Sequence, residues 1–244
     1  KLNKIIRMLL LHFSSNIVAN SFAGLKANKL KRGYVLYNGV DSKFSLFEKE
    51  INKVNLRKKI FGSKSMHITL ISVANFVPYK DYFTIFKALG ELKRRGIKFN
   101  YILIGDGPQK DILIDFIKAQ KLTDDCFFTG RINNVEEFLK MSDIFIHSSK
   151  GEGCSNAIIE AMFNGLPIIA TDTGGTSELI DKNCGFLFRY KDVTQLITSI
   201  EILINDESLR WRMSENSFKR ACDMFDPNVM ITNYYKITDK ILNT

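Results

Sequence analysis

The sequence predicts an α/β protein with a doubly wound, Rossmann-like parallel sheet. Apolar runs of strand length, such as Ile68–Val73 and Phe99–Ile104, alternate with stretches of helical periodicity, such as residues 81–92. Strands and helices that alternate in this way form βαβ units with right-handed crossovers. Glycine-bearing loops follow several of the predicted strands, which is the usual position of ligand-binding loops in such sheets.

The first forty residues predict two short strands and a helix. Residues 16–20 and 34–37 are runs of strand length, and Ser21 is placed to cap a helix that continues to residue 30. The turn-forming sequence Asn-Gly-Val-Asp at residues 38–41 closes the second strand.

The remaining elements follow in regular alternation. Strands are predicted at residues 68–73, 99–104, 126–131, 143–147 and 185–188, with one more buried strand after Pro167. Helices are predicted at residues 81–92, 109–119, 135–141, 193–204, 209–224 and 228–242, with a short one after Asn156. Pro227 separates the last two helices, because proline interrupts a helix.

The composition indicates a globular chain that does not span a membrane. A hydrophobic content of 45% over 244 residues is enough for a sizeable core. The longest apolar runs are far shorter than a membrane-spanning helix requires. The sequence has four cysteines, none in a Cys-x-x-Cys pair: Cys126, Cys154, Cys184 and Cys222. Their wide spacing predicts reduced thiols in a cytoplasmic protein.

The positive charge is concentrated in the first quarter of the chain. Residues 1–65 contain 14 Lys and Arg against three Asp and Glu, within a net charge of +9. A nucleic-acid partner is not expected, because interleaved aromatic residues and a recognisable binding motif are missing. Two interpretations remain: a surface that contacts an anionic membrane, and an ordinary solvated basic face.

Residues 148–179 are the stretch around which the chain is organised. They begin as a polar loop after a predicted strand and continue into a short helix whose first amides can bind anions. Glu152 lies in this loop and Glu160 two turns later, so either carboxylate can accept hydrogen bonds from sugar hydroxyls. Each also has an ordinary interpretation, as a helix-start carboxylate and as a solvated helix residue.

Several motifs in this stretch resemble a known family. Glu152 and Glu160 form a Glu-x7-Glu pattern, followed by Ala-Met-x-x-Gly-x-Pro-Ile-Ile-Ala-Thr and by Gly-Gly-x-x-Glu-Leu at residues 174–179. This arrangement closely resembles the donor-site segment of the retaining glycosyltransferases of family 4, which have the GT-B fold. The Gly-Asp-Gly-Pro turn at residues 105–108 resembles the corresponding turn of the same family.

The resemblance implies that the sequence is the C-terminal half of a GT-B fold. Residues 1–38 then correspond to the end of the N-terminal acceptor domain and the linker, residues 39–225 to the nucleotide-sugar-binding domain, and residues 226–244 to the C-terminal crossing helix. The apolar side chains of the first and last segments need cover. We therefore expect the two ends of the chain to pack on each other.

The resemblance also implies an activity and a set of site residues. The protein would transfer a hexose or N-acetylhexosamine from a nucleoside-diphosphate sugar to a glycan or lipid-linked acceptor, with retention of configuration and without a metal ion or other cofactor. Glu152, taken as the catalytic residue, would hold the donor sugar, and Glu160 the ribose. The turn formed by Gly130, Arg131 and Ile132 would hold the base. The diphosphate would be bound by Lys80 and by the loop residues Gly153, Cys154, Ser155 and Asn156.

Some positions depart from the family pattern and leave alternatives open. Asn75 stands where relatives usually have an arginine, so Lys80 alone would supply positive charge, unless Arg131 or Lys150 substitutes. A non-catalytic nucleotide-sugar-binding module would fit this loss. A Rossmann oxidoreductase would need a third glycine after Gly107, which is absent. His147 is interpreted as a structural histidine, and the sequence does not name the base, the sugar or the acceptor.

Overall fold

A computed structural model describes residues 16–30, 32–41 and 49–243. The strands are β1 (Val18–Ala19), β2 (Tyr34–Val35), β3 (Ile68–Val73), β4 (Phe99–Ile104), β5 (Cys126–Gly130), β6 (Ile144–His147), β7 (Ile168–Thr171) and β8 (Gly185–Phe188). The helices are α1 (Phe22–Ala27), α2 (Lys49–Phe61), α3 (Tyr82–Arg94), α4 (Lys110–Ala119), α5 (Val135–Lys140), α6 (Asn156–Phe163), α7 (Thr176–Leu179), α8 (Val193–Asn205), α9 (Glu207–Phe225) and α10 (Pro227–Leu242).

The central sheet has six parallel strands in the order β5-β4-β3-β6-β7-β8. The chain moves outwards from β3 to β5, then crosses back to lie beside β3 as β6 and continues to β8. This order confirms the predicted doubly wound, Rossmann-like fold. It also reverses direction between β3 and β6, and the crevice at such a reversal is where open α/β sheets bind ligands.

Two apolar clusters cover the two faces of the sheet, because successive side chains of a strand point to opposite faces. Leu70, Leu103 and Ile146 lie in one cluster, with side chains from α3, α4 and α8. Ile71, Ile102 and Phe145 lie in the other, with side chains from α2, α5, α6 and α9. The inner strands β3, β4, β6 and β7 are buried on both faces, which explains why they appear in the sequence as continuous apolar runs.

Most predicted elements agree with the structure to within two residues. The first helix is shorter than predicted, since it ends at Ala27 instead of residue 30. Ser21 caps its start as expected, with its hydroxyl accepting from the Gly24 amide at 3.0 Å. Lys29 has a φ of 58°, the left-handed conformation that commonly follows a helix end, and this stops the helix.

The segment that contains β1, α1 and β2 packs against the rest of the chain through its last residues. The ring of Tyr37 meets Phe225 edge to face, and the Val40 amide donates to the Phe225 carbonyl at 3.0 Å. The amide of Gly39 lies 3.2 Å from the sulfur of Met230, in α10. Residues 37–40 therefore contact the end of α9 and the start of α10. The packing of residues 1–38 on residues 226–244 and the domain boundaries remain predictions, and residues 1–15 lie outside the described part.

Candidate functional site

The loops that follow β3 and β6 lie side by side at the point where the strand order reverses. The Asp81 amide donates to the Ser148 carbonyl at 2.9 Å, and the Lys150 amide donates to the Tyr79 carbonyl at 2.8 Å. Lys80 and Ser149 form an isolated antiparallel bridge between these two hydrogen bonds. Backbone pairing thus fixes the position of Lys80 relative to the loop that carries Glu152.

Three polar side chains converge in this crevice: Lys80, His147 and Glu152. The Lys80 ammonium forms an ion pair with Oε1 of Glu152. His147 Nε2 lies 3.2 Å from Lys80 Nζ and 3.2 Å from Glu152 Oε2. The structure therefore brings together two predicted site residues, which are 72 positions apart in sequence, and adds a histidine that was interpreted as structural.

Burial governs the protonation of these groups. It lowers the pKa of Lys80 to about 8, while the adjacent Glu152 carboxylate acts in the opposite sense and favours the ammonium. His147 is fully enclosed, and burial together with the Lys80 charge holds its pKa well below the ordinary value. His147 is therefore neutral at physiological pH.

The loop that carries Glu152 is locked against the loop after β7 by close backbone contacts. The Gly175 amide donates to the Glu152 carbonyl at 2.8 Å. A Cβ atom at Gly174, whose φ is +58°, would overlap that same carbonyl, and one at Gly175 would overlap the Gly153 carbonyl. The Gly-Gly pair is needed here because a residue with a side chain would keep the two loops farther apart.

The predicted residues Gly153, Cys154, Ser155 and Asn156 lead from this loop into α6. Ser155 is the N-cap residue, but its hydroxyl makes no capping hydrogen bond, so it does not compete for the first-turn amides. Cys154 is buried, and burial raises the pKa of its thiol. The Asn156 Oδ1 atom accepts a hydrogen bond from the side-chain Nδ2 of Asn38 at 2.6 Å.

Glu160 lies in the middle of α6 and is half-buried. Among the residues that the structure describes, its carboxylate has no hydrogen-bond or ion-pair partner. Burial raises the pKa of the Glu160 carboxyl group, because desolvation disfavours its charged form. A partly desolvated carboxylate without a partner is suited to accept hydrogen bonds from a bound hydroxyl pair.

The remaining predicted residues lie farther along the same edge of the sheet. Gly130 ends β5, and Arg131 and Ile132 follow it. Strands β4 and β3 separate β5 from β6, a distance of roughly 14 Å at the usual strand spacing. Gly130 has a φ of +71°, and the Arg131 side chain is exposed. These residues do not contact the Lys80 cluster, but they lie at the carboxyl ends of the strands, as it does.

Glu178 connects this edge to the first segment, a role that sequence reasoning missed. Its carboxylate accepts from the amides of Phe22 and Ala23 at 2.8 Å each and from the Tyr37 hydroxyl at 3.0 Å. Burial and Glu178 together raise the pKa of Tyr37 to about 12. The only signal in the sequence was the place of Glu178 in the Gly-Gly-x-x-Glu-Leu motif.

A comparison with protein families decides the family of the chain. The profile described as "Glycosyl transferases group 1" matches residues 54–220, well over half of the chain. The chain belongs to this family. The resemblance to family 4 glycosyltransferases with the GT-B fold is thereby confirmed.

Two curated relatives of this group 1 glycosyltransferase chain have described reactions. It is 27% identical over 208 residues to the N-acetyl-alpha-D-glucosaminyl L-malate synthase of Bacillus anthracis, covering 85% of this chain and 53% of that protein. It is 28% identical over 211 residues to the UDP-Gal:alpha-D-GlcNAc-diphosphoundecaprenol alpha-1,3-galactosyltransferase of Escherichia coli, covering 85% of this chain and 52% of that protein. The chain thus spans about half the length of these relatives.

A solved structure agrees with the fold of the group 1 chain. Anabaena Alr3699/HepE, crystallised in complex with UDP and glucose, superposes with a TM-score of 0.83 at 22% identity. The superposition covers 99% of this chain and 66% of that one. At this identity the likeness shows the fold, which is the Rossmann-like half of a GT-B enzyme.

Proposed function

We propose that this chain is the donor-binding half of a retaining glycosyltransferase. The whole protein transfers a hexose or N-acetylhexosamine from a nucleoside-diphosphate sugar to a glycan or lipid-linked acceptor. The observation that carries this proposal is the convergence of Lys80 and Glu152 at the reversal of strand order, close to the start of α6. Two relatives named for sugar transfer, one of them with a UDP-sugar donor and a diphosphoundecaprenol-linked acceptor, support the choice of substrates.

In this proposal each part of the site has a role. Lys80 and the first amides of α6 meet the charge of the diphosphate, so the departing nucleotide needs no metal ion. Glu160, without a partner among the described residues, accepts from the ribose hydroxyls. Glu152 accepts from the donor sugar once the phosphate oxygens have become alternative partners for Lys80. The turn at residues 130–132 holds the base.

A second candidate is a non-catalytic nucleotide-sugar-binding module. The observation that favours it is Asn75, a neutral and exposed side chain after β3 at the place where relatives usually have an arginine. Such a protein would bind the donor but stabilise the departing diphosphate too weakly for rapid transfer.

Binding and transfer measurements together test the two candidates. Calorimetry with a panel of nucleoside diphosphates and their sugars, with and without a chelator, should show one preferred nucleotide bound equally well in both conditions. Sugar transfer by the full-length protein would establish the enzyme, whereas binding without transfer would favour the module. The absence of binding to any member of the panel would refute both.

We also propose a cytoplasmic location with contact to an anionic membrane. All four cysteines are free thiols, and no helix in the described parts of the chain is long and apolar enough to cross a bilayer. Lys53 and Arg57 both pair with Asp143, whereas Lys58 and Lys59 are exposed. Sedimentation with anionic vesicles should show binding that fades with salt, and no binding at low ionic strength would leave a solvated basic face.

A further inference from the structure

The imidazole ring of His147 is a polar group in a buried position, so its contacts need an explanation. His147 ends β6, it is almost completely buried, and its ring lies parallel to that of Phe145 with the centroids 6.3 Å apart. Its Nε2 atom is 3.2 Å from the Lys80 ammonium, although burying a polar atom beside a charge is costly unless the two are bonded. The contact between His147 and Lys80 is therefore the feature to explain.

The balance of donors and acceptors selects one arrangement. An ammonium has three N–H donors and no acceptor, so it contacts a neutral imidazole nitrogen favourably only when that nitrogen carries no proton. A protonated ring would place two cations side by side in a buried site. Nε2 also lies 3.2 Å from Glu152 Oε2, so a neutral ring with its proton on Nε2 would donate to the carboxylate instead. The carboxylate already has the ammonium as a donor, whereas the buried ammonium gains a second acceptor from an unprotonated Nε2. Nε2 of a neutral His147 is therefore assigned as the acceptor from Lys80, and the three groups lie in mutual contact.

We propose that His147 is a positioning residue for Lys80: with Glu152 it engages two of the three N–H donors of the ammonium and leaves the third for a phosphate oxygen of the ligand. The ligand part of this statement rests on the proposed function, whereas the bond between His147 and Lys80 does not. Without His147, the flexible lysine side chain would keep its ion pair with the carboxylate and its position over the Tyr79 ring, 5.8 Å from the centroid. Neither contact fixes the direction of its remaining N–H donors.

Spectra of the unliganded protein test the bond directly. The first variant, His147→Phe, keeps a ring but removes Nε2, and the second, His147→Gln, restores an acceptor. The control is His67→Phe, just before β3 at the amino ends of the strands. In protein labelled with carbon-13 at Cε of lysine, Lys80→Met identifies the Lys80 signal by its loss. We expect His147→Phe to shift that signal, His147→Gln to return it part of the way, and His67→Phe to leave it in place.

An unshifted Lys80 signal in a folded His147→Phe protein would overturn the proposal. If that variant does not fold, nitrogen-15 spectra of the histidines in the unmutated chain decide instead. An unprotonated Nε2 on His147 supports the bond, and a protonated Nε2 overturns it.

Calorimetry then tests the consequence for the ligand. With the nucleoside diphosphate that binds best, we expect His147→Phe to weaken affinity about five- to tenfold and His147→Gln to recover part of it. This is less than the loss of a whole hydrogen bond to a charged group, because the Lys80 ammonium remains and only its orientation is lost. Affinity for the matching nucleoside should change less than about twofold, because it lacks the phosphates. Equal losses for both ligands would mean that His147 acts only through the fold. If the unmutated protein binds no nucleotide, the proposed function fails while the lysine spectra still decide the role of His147.

Discussion

Lys80 is the residue whose charge the proposed donor site depends on most directly. It is buried between the loops after β3 and β6, and it is already paired with Glu152 and His147. A bound diphosphate must therefore compete with Glu152 and His147 for the Lys80 ammonium. Burial makes the attraction between the diphosphate and the ammonium strong, because charges interact more strongly in a medium of low dielectric constant.

Replacing Lys80 by methionine should separate phosphate binding from nucleoside binding. We expect affinity for a nucleoside diphosphate to fall at least about tenfold, because hydrogen bonds to charged groups contribute about 1.5–3 kcal/mol, while nucleoside affinity stays nearly unchanged. In the unmutated protein, diphosphate affinity should be complete below pH 8 and decline as the pH rises through the Lys80 pKa of about 8. Calorimetry across this range checks both results, with the exposed Lys59→Met as the matched control.

Glu160 should show opposite effects on stability and on binding. Because burial raises its pKa in the folded state, ionising it costs folding free energy, and this cost appears as the pH rises above the unfolded value of 4.5. Glu160→Gln should therefore leave the Tm at neutral pH unchanged or higher, yet weaken nucleotide binding about tenfold. The exposed Glu215→Gln is the control. An unchanged dissociation constant would show that Glu160 does not hold the ribose.

At the scale of elements, the site is built from loops that clamp one another. The loop after β6 pairs with the loop after β3 on one side and contacts the Gly-Gly turn after β7 on the other. The start of α1 is held by Glu178, in α7. The loop after β6 is thus fixed by backbone contacts on two sides, which is the condition for presenting Glu152 and the α6 amides in a single geometry.

Gly174→Ala should damage the site without touching any charged group. The added methyl group would overlap the Glu152 carbonyl, and alanine is strained at a φ of +58°. We expect a loss of about 1–3 kcal/mol in the free energy of unfolding and clearly weaker nucleotide binding. Gly151→Ala, where a Cβ would meet open space, is the matched control. Equal stability and binding in the two variants would contradict the clamp.

Glu178→Gln should loosen the first segment from the sheet. The carboxylate satisfies two amides of α1 and the Tyr37 hydroxyl, so its loss should lower the free energy of unfolding by about 1–3 kcal/mol. The pKa of Tyr37, now about 12, should fall but stay above 10, because burial is the larger cause of the shift. Ultraviolet titration measures the pKa, and Glu201→Gln, whose partner Arg95 is exposed, is the control.

At the scale of the whole molecule, one doubly wound sheet carries a short segment at its start and a helix at its end. The segment is held through Glu178, Phe225 and Met230. Helix α10 has no fully buried residue and exposes the apolar parts of Ile231, Tyr234 and Tyr235. The buried members of the two apolar clusters lie between residues 61 and 225, on the two faces of the sheet.

Removal of residues 1–38 should leave a folded protein that still binds nucleotide. Both apolar clusters lie outside the removed segment apart from Tyr37, so we expect a cooperative thermal transition at a lower temperature, because Glu178 and Phe225 lose partners. Differential scanning calorimetry and nucleotide titration measure both properties. Loss of the cooperative transition would show that this segment belongs to the core and that the predicted boundary is wrong.

The sequence by itself determined the fold class, the family and most of the elements, although helices α2 and α7 were not predicted. Apolar runs and helical periodicity are local patterns, and each depends only on neighbouring residues, so Ile68–Val73 and Phe99–Ile104 were predicted with their exact ends. Helix ends depend on single backbone angles, such as the left-handed Lys29, and were predicted less accurately. The motif around Glu152 and Glu160 identified the family because its spacing lies within one short stretch.

Only the tertiary structure decided which side chains meet. His147 ends a strand in the sequence like many apolar residues, and nothing nearby shows that Lys80, 67 positions earlier, will be its partner. That contact exists because β6 returns to lie beside β3 instead of following β5 at the edge. The same is true of Glu178, which is 156 positions from the Phe22 amide that it binds. Strand order is a long-range property of packing, and it alone turns separate loops into one site.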